Sequence, residues 1–468
     1  MTNRHQDLRD TPPPVALAQV DELIRTGGDG RLELIGLSIT PHRRTVWSRA
    51  GASTSTSAAA WYDCVRGRQK RQKRGEPVTS GVGRLLREPE EQRATFLDLF
   101  FDLVFVFALF RLSHGLLNHL NWTGAFQALV LLLAVWWVWT QTAGIGDRFD
   151  PRRPAIQLLV IGCMFGSMVL AAAAPGAFGE HGLVFAGAYV AVQVGRSLFL
   201  VIVTRGDERQ RTEMRVLFWY GVSAVPWIAG AVVQGWPREV LWSLAVAVDY
   251  VVLRIGWPTP RLGRAGAAEF PLSGEFLAER HRQFFIIALG ELILVTGLTF
   301  TGDGFGADRS AAAVVAFATT VLLWRIYIHR AGQVLAEAVT AAPDPLRVAV
   351  SAIYAHPVMV AGIVAISIGD ELVIEHPLGH TPPAWVAVIL GGPALFLAGR
   401  ATFEYAVFGR VSRNRVAGVL ALAAISPATV FLPPVLVATA SALVLAGIAL
   451  SDAARARGRP PEPPSPPG

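Results

Sequence analysis

From residue 95 onward the chain alternates long apolar runs with short polar loops, and no other feature constrains the fold as strongly. The runs are about 20 residues long, which is the length that an α-helix needs to cross the hydrocarbon core of a bilayer. Of the 468 residues, 52% are apolar and 16% are charged, whereas about 25% are charged in ordinary soluble domains. The pattern predicts an all-α polytopic membrane protein and disfavours a soluble multidomain enzyme.

Twelve apolar runs are candidate membrane spans. The last two are short and are separated only by Leu432, Pro433 and Pro434, so the sequence predicts ten to twelve transmembrane helices. The candidate spans are 95–117, 122–142, 154–174, 181–204, 214–234, 238–256, 282–301, 310–329, 347–369, 384–408, 416–431 and 435–451.

The distribution of Lys and Arg predicts the orientation of these spans. With a cytoplasmic N-terminus, the inside segments after residue 94 carry 20 Lys or Arg, whereas the outside loops carry two, Arg238 and Arg309. Cytoplasmic loops of membrane proteins show such an excess of positive charge. The sequence therefore predicts that both termini are cytoplasmic.

The two ends of the chain differ from the membrane domain, which we assign to 94–452. Residues 1–93 hold 16 of the 42 Lys and Arg, and 66–74 read RGRQKRQKR. We predict a disordered cytoplasmic arm, which either binds anionic lipid headgroups or only helps to set the topology; a native start near residue 80 is a third interpretation. Nucleic acid is not expected as a partner, because the basic segment adjoins the membrane. The tail 453–468 is Pro-rich and is predicted to be cytoplasmic.

Three pairs of segments suggest a 6+6 internal repeat, with chance similarity between apolar helices as the alternative. Because six spans is an even number, both halves would have the same orientation, giving a parallel repeat. The matching residues are Trp136 and Trp139 with Trp324 and Tyr327, Gly195-Arg196 with Gly399-Arg400, and Pro226 with Pro427.

Four motifs resemble the bacterial low temperature requirement A family, over residues 94 to 452. The segment ATFLDLFFDLVFVFALFRLSHGLL (94–117) is similar to the opening helix of that family, and ERHRQFFIIALGELILV (279–295) is similar to a later one. The segments WWVWTQ (136–141), followed by Asp147-Arg148-Phe149, and YAHP (354–357) add to the resemblance.

The chain also departs from the family pattern. Asp98 stands where the family usually has Glu, the residues after Glu279-Arg280 differ, and the arm 1–93 has no counterpart. The resemblance implies a multi-pass architecture in a bacterial plasma membrane, but it implies no reaction.

Ionisable residues inside the predicted spans are the candidates for function, because a charge near the bilayer centre is costly. Glu291 has no charged neighbour within eight residues, and Asp98 and Asp102 lie one helical turn apart. His356 precedes Pro357, which removes a backbone hydrogen bond within the span. We predict that Glu291, Asp102, Asp98 and His356 contribute to a solute or ion site; structural pairing is the alternative.

Basic groups in the spans are candidate charge partners for these acids. They are Arg196, Arg111, His114 and Arg325, and we expect Arg196 to pair with Asp102. Trp136, Trp137 and Trp139 lie toward one end of their span, which favours an aromatic belt at the membrane interface.

The sequence has no recognised catalytic motif and no metal-ligand spacing, so we expect no enzyme, metal or cofactor. The first hypothesis is secondary transport of a small solute or ion, with proton coupling. The first alternative is a non-transporting sensor or a cold or envelope-stress factor. The second alternative is an intramembrane enzyme that modifies lipids.

Overall fold

The computed structural model describes residues 85–87, 94–266, 269, 273–302, 305–329, 331–457 and 463–466. Most of the predicted arm lies outside these residues, so its disorder and its start stay predictions. The helices are, in chain order, α1 (Phe96–Leu117), α2 (Trp122–Arg148), α3 (Pro154–Ala173), α4 (Gly182–Val203), α5 (Arg209–Val232), α6 (Trp236–Arg254), α7 (Gly274–Gly302), α8 (Ala307–Ile328), α9 (Ala331–Ala341), α10 (Pro345–Glu375), α11 (Pro383–Ile389), α12 (Gly391–Phe408), α13 (Arg413–Thr429) and α14 (Pro434–Ala456).

The helices confirm an all-α polytopic membrane protein. Within the described residues, nine helical segments are long and apolar enough to cross a membrane. Helices α1, α6 and α13 are outside that set: α1 and α6 carry several charged residues, and α13 has 17 residues. Each of the twelve predicted spans corresponds to a helix, with α11 and α12 sharing the tenth. The number of helices that cross the membrane stays a prediction.

Local sequence signals explain where several helices begin and end. Thr95 and Asp98 form a reciprocal capping box at the start of α1. Proline occupies the first turn of α3, α10 and α14, where its missing N–H costs nothing. Helix α12 ends at Gly409, whose φ of 63° is the left-handed conformation that glycine adopts most readily.

The same helix neighbours recur in the two halves. In the first six spans, α1 packs on α3, α3 on α4, α4 on α5, α5 on α6, and α2 on α6. In the second six, α7 packs on α10, α10 on α12, α12 on α13, α13 on α14, and α8 on α14. When the helices are numbered as the twelve predicted spans, each of these contacts in the first half has a counterpart six spans later in the second half. The parallel 6+6 repeat stays a prediction, which this correspondence supports.

The halves meet along a seam formed by α1 and α2 from the first half and α7 and α10 from the second. Helices on the outside of the bundle expose apolar side chains, including Phe165 on α3 and Val225 on α5. Such surfaces suit lipid contact, whereas the seam is buried from lipid and can hold polar groups.

Alternate helix ends meet at opposite sides of the bundle. The loops 149–153, 204–208, 255–266 and 409–412 form what we call the basic end, where Arg148 of α2 pairs with Glu213 of α5. The loops 118–121, 177–181, 233–235, 376–382 and 430–433 form the opposite end. There, Arg238 donates hydrogen bonds to the carbonyl oxygens of Ala177 and Gly179.

Candidate functional site

Glu291 lies in the seam, where α7 meets α1 and α10. Its side chain is fully buried, and its Oε1 accepts hydrogen bonds from the Oγ atoms of Ser113 and Ser367, both at 2.7 Å. Its Oε2 is also buried and has no hydrogen-bond partner among the described residues. The carboxylate is therefore held by neutral donors, with one oxygen left unsatisfied.

Asp370 supplies a second buried carboxylate, on the helical turn of α10 that follows Ser367, the residue that donates to Glu291. It is 7% exposed, its Oδ2 has no hydrogen-bond partner within the described chain, and its charge interacts with that of Glu291. Glu371, the other charged group that interacts with Glu291, is also acidic. Like charges in a low-dielectric site repel strongly, so a proton or another cation must neutralise this pair.

Asp370 lies one residue beyond the predicted end of the ninth span, residue 369, and was therefore not among the predicted site residues. Helix α10 continues to Glu375, and Leu372, Val373 and Ile374 are buried. These three apolar residues follow Asp370 and Glu371 in the sequence, and they were the available signal that the span continues beyond residue 369. No signal distinguishes Ser113 and Ser367 from other helical serines in the sequence.

Asp102 forms a separate, closed ion pair with Arg280 of α7. The Nη1 and Nη2 atoms of Arg280 donate to Asp102 Oδ2 and Oδ1 at 2.9 and 2.6 Å, and Trp139 Nε1 donates to Oδ1 at 2.8 Å. Asp102 is 0% exposed and Arg280 1%. Both carboxylate oxygens are satisfied, so Asp102 joins α1 to α7 and lies apart from the Glu291 group.

The predicted pairing of Asp102 with Arg196 is wrong. Arg196 instead donates from Nη1 to Thr142 Oγ1 at 3.1 Å, and its guanidinium lies over the ring of Tyr220. The sequence analysis had assigned Arg280 to a cytoplasmic segment, because the seventh span was predicted to begin at residue 282. Helix α7 begins at Gly274, two turns earlier, and this brings Arg280 into the bundle.

His356 belongs to a cluster with His281 and Tyr327. The two imidazole rings lie 4.3 Å apart, and Tyr327 Oη lies 3.1 Å from His356 Nε2. The Nδ1 atoms of His281 and His356 lie within 2.8 Å of the carbonyl oxygens of Leu277 and Ala352. A carbonyl can only accept, so both Nδ1 atoms carry hydrogen, and His281 Nε2 is left without a partner within the described chain.

The predicted aromatic belt at the membrane interface is wrong. Trp136, Trp137 and Trp139 are at most 1% exposed. Trp136 is parallel to His356 at 6.1 Å and donates from Nε1 to the carbonyl oxygen of Ile353. These rings fill the interior because α2 lies in the seam, where its neighbours are helices and not lipid.

The remaining sequence candidates lie apart from Glu291. Asp98 accepts the N–H of Thr95 at 2.8 Å and so caps α1. Arg111 is part-buried with its Nη2 3.5 Å from the carbonyl oxygen of Ala172, His114 is exposed, and Arg325 is part-buried near the end of α8. Within the described residues, none of these three basic groups forms an ion pair with Glu291, Asp102 or Asp98.

An apolar layer separates the histidine cluster from Glu291. His281 and Glu291 are ten residues apart on α7, which is about 15 Å along a helix. Phe284 and Ala288 on α7, Leu109 on α1 and Ile363 on α10 occupy this interval and are buried. The seam thus contains two polar regions with a dry layer between them.

A cavity of about 130 Å³ lies at the basic end and reaches the first of these regions. It is lined by α2, α4, α5, α6, α7 and α10, and includes Trp139, Arg196, Arg280 and His281. In the described part of the chain, no group of three or more His, Cys, Asp or Glu residues could hold a metal ion.

Comparison with known proteins identifies the family. Residues 93–450 match the family described as bacterial low temperature requirement A protein (LtrA). The chain belongs to the bacterial low temperature requirement A family. This low temperature requirement A protein is 37% identical over 313 residues to the uncharacterized protein RA0937 of Rhizobium meliloti (strain 1021), a match that covers 66% of the chain and 76% of the relative. No solved structure matches it.

Proposed function

We propose that this low temperature requirement A protein is a proton-coupled secondary transporter of a small solute, in the bacterial inner membrane with both termini cytoplasmic. One observation carries the proposal. Glu291 and Asp370 are both buried and their charges interact, and the groups that hold Glu291 are two hydroxyls and no cation. A buried carboxylate pair of this kind binds a proton, and releases it when water reaches the site.

The position of the site supports the same function. Secondary transporters built from repeats bind substrate and coupling ions near the midplane, between the repeats. Glu291 lies where α7 meets α1 and α10, on the seam between the two halves, and the basic-end cavity stops at Arg280 and His281. An apolar layer between a buried polar site and a cavity is compatible with alternating access, in which a site opens to one side at a time.

The roles follow from the contacts. Glu291 and Asp370 exchange the proton, Ser113 and Ser367 orient Glu291, and His356 with His281 forms the polar wall on the cavity side of the apolar layer. Asp102 and Arg280 hold α1 against α7 as one rigid element. The lipid bilayer and a small solute are the expected partners, anionic headgroups are expected for the arm, and neither enzymatic activity nor a cofactor is part of the proposal.

Proton flux in proteoliposomes tests the proposal. The purified full-length protein is reconstituted with a pH-sensitive dye inside, and a panel of small solutes is added outside. At least one solute is expected to move protons, and Glu291→Gln and Asp370→Asn are each expected to reduce the rate at least tenfold. Glu375→Gln removes an exposed carboxylate at the opposite end and serves as the matched control.

The alternative is a non-transporting membrane protein whose charges are structural, and one observation favours it. Both oxygens of Asp102 accept hydrogen bonds from Arg280, Oδ1 also accepts one from Trp139, and the side chain of Asp102 is fully buried. If Glu291→Gln retains wild-type proton flux, or if no solute moves protons, the results would favour the non-transporting membrane protein whose buried charges are structural.

A further inference from the structure

Arg196 is a buried cation without an acidic partner, and it lines the basic-end cavity. It is 3% exposed, and among the described residues it forms no ion pair. Its one hydrogen bond goes from Nη1 to Thr142 Oγ1 at 3.1 Å. Asp249 interacts with Arg196 electrostatically but forms no ion pair with it: its Oδ2 accepts the hydroxyl of Tyr189 at 2.6 Å, and its buried Oδ1 has no hydrogen-bond partner within the described chain.

The other charged groups that line the cavity are largely paired. Arg148 pairs with Glu213, and Arg280 pairs with Asp102. Asp147 Oδ2 accepts the N–H of Ser273 at 3.2 Å. Arg196 is therefore the arginine of the cavity lining that has no salt bridge among the described residues, and its guanidinium presents a planar set of donors that fits a carboxylate.

We infer that the cavity binds a short monocarboxylate, with its carboxylate on Arg196. The inference rests on the proposed function, because the monocarboxylate would be the transported solute. It deepens that function by naming the chemical class of the solute. Leu200, Val216, Leu253 and Phe276 are part of the wall, which suits a short alkyl body. The carboxylate of Asp147, whose Oδ1 has no hydrogen-bond partner among the described residues, lines the same cavity and repels a second negative charge on the ligand.

Gly144 provides a test that leaves Arg196 unchanged. It lines the cavity, and a Cβ atom at this position would meet no heavy atom within 4 Å. The Cβ atom of Gly144→Leu therefore meets no neighbour, and the rest of the leucine side chain is expected to occupy space in the cavity. Gly162 has the same free space but is exposed on α3, so Gly162→Leu is the matched control.

The experiment is a saturation-transfer NMR titration of propionate with the full-length protein in detergent micelles, without any gradient. The wild type and Gly162→Leu are expected to bind equally. Gly144→Leu and Arg196→Gln are expected to weaken binding at least tenfold, and Arg196→Lys, which keeps the charge but loses the planar donors, by less. Malonate and inorganic phosphate are expected to displace propionate only at tenfold or greater concentration.

Two results would overturn the inference: wild-type affinity in Gly144→Leu, or displacement by malonate or phosphate at the same concentration as propionate. Size-exclusion profiles identify variants that fail to fold. Binding is measured at equilibrium and without a gradient, so it does not depend on transport. A failure of propionate to bind can therefore be distinguished from a failure of the proposed transport function. If propionate binds but no proton flux is detected, the result would support the monocarboxylate site and contradict the proposed transport function.

Discussion

At the scale of residues, two buried carboxylates of the same membrane domain are satisfied in opposite ways. Asp102 receives a bidentate guanidinium and an indole N–H, whereas Glu291 receives two hydroxyls on a single oxygen. The first arrangement supplies a counter-charge and occupies both oxygens. The second leaves an oxygen available to a proton, so the two acids have different expected roles.

Removing one member of the Asp102–Arg280 pair should destabilise the protein. Asp102→Asn leaves the guanidinium of Arg280 buried without its counter-charge, at a cost of about 3–5 kcal/mol. The expected result is a lower midpoint when loss of the monodisperse peak is followed against temperature in detergent. Asp207→Asn, which breaks an exposed pair with Arg209, should leave the midpoint unchanged. An equal shift in both variants would contradict a structural role for Asp102.

Sequence reasoning found some residues of the site and missed others for physical reasons. Glu291 stood out because an isolated carboxylate in an apolar run is costly, and it is indeed buried. Arg280 was missed as a partner because arginine near a span end is also what a cytoplasmic loop contains. Which acid pairs with which arginine depends on which helices are in contact, and these helix contacts cannot be inferred by inspecting one sequence.

At the scale of elements, apolar runs located the helices but not their ends. All twelve predicted spans contain helix, yet α7 starts eight residues earlier than predicted and α10 ends six residues later. Helix α9 lies outside every predicted span. Helices in this bundle extend past their apolar runs because neighbouring helices, and not only lipid, satisfy their polar side chains.

The contact between α10 and α12 depends on glycine. A Cβ atom on Gly362 would lie within 3 Å of backbone atoms of Phe396 and Gly392. Small residues allow helices to approach closely in membranes, where packing and not the hydrophobic effect drives association. Gly362→Val should therefore separate these helices and lower the yield of folded protein several-fold.

The control for that element is Gly187→Val on α4, where a Cβ atom meets nothing within 4 Å. The measurement is the monodisperse fraction recovered by size-exclusion chromatography from equal amounts of membrane. Similar recovery of both variants would show that the α10–α12 contact tolerates a larger side chain.

At the scale of the whole molecule, the candidate proton-binding groups lie on the seam between the halves, whereas a second buried network of Arg400, Glu404, Arg415 and Asp452 joins α12, α13 and α14. Asp102, His281, Glu291 and His356 all lie on α1, α7 or α10. The repeat was suggested by three weak sequence matches, and the recurrence of helix neighbours in both halves supports it. Single sequences show such repeats poorly, because apolar residues substitute freely for one another in lipid-facing helices.

The predicted orientation can be measured with single cysteines in a variant that lacks Cys64 and Cys163. Arg205→Cys lies at the basic end and Glu180→Cys at the opposite end, and both native side chains are exposed. A membrane-impermeant maleimide applied to intact spheroplasts should label the cysteine at 180 directly, and the one at 205 only after lysis. The reverse pattern would contradict cytoplasmic termini.

The most direct test of the account asks whether Glu291 holds a proton. A hydrophobic carbodiimide adds to a protonated carboxyl group, so the adduct can be located by mass spectrometry after reaction of the folded protein at pH 6. The account predicts an adduct on Glu291 or Asp370, lost in the Glu291→Gln, Asp370→Asn double variant, and none on Glu213, which is paired with Arg148. A folded protein without an adduct on Glu291 or Asp370 would contradict the account.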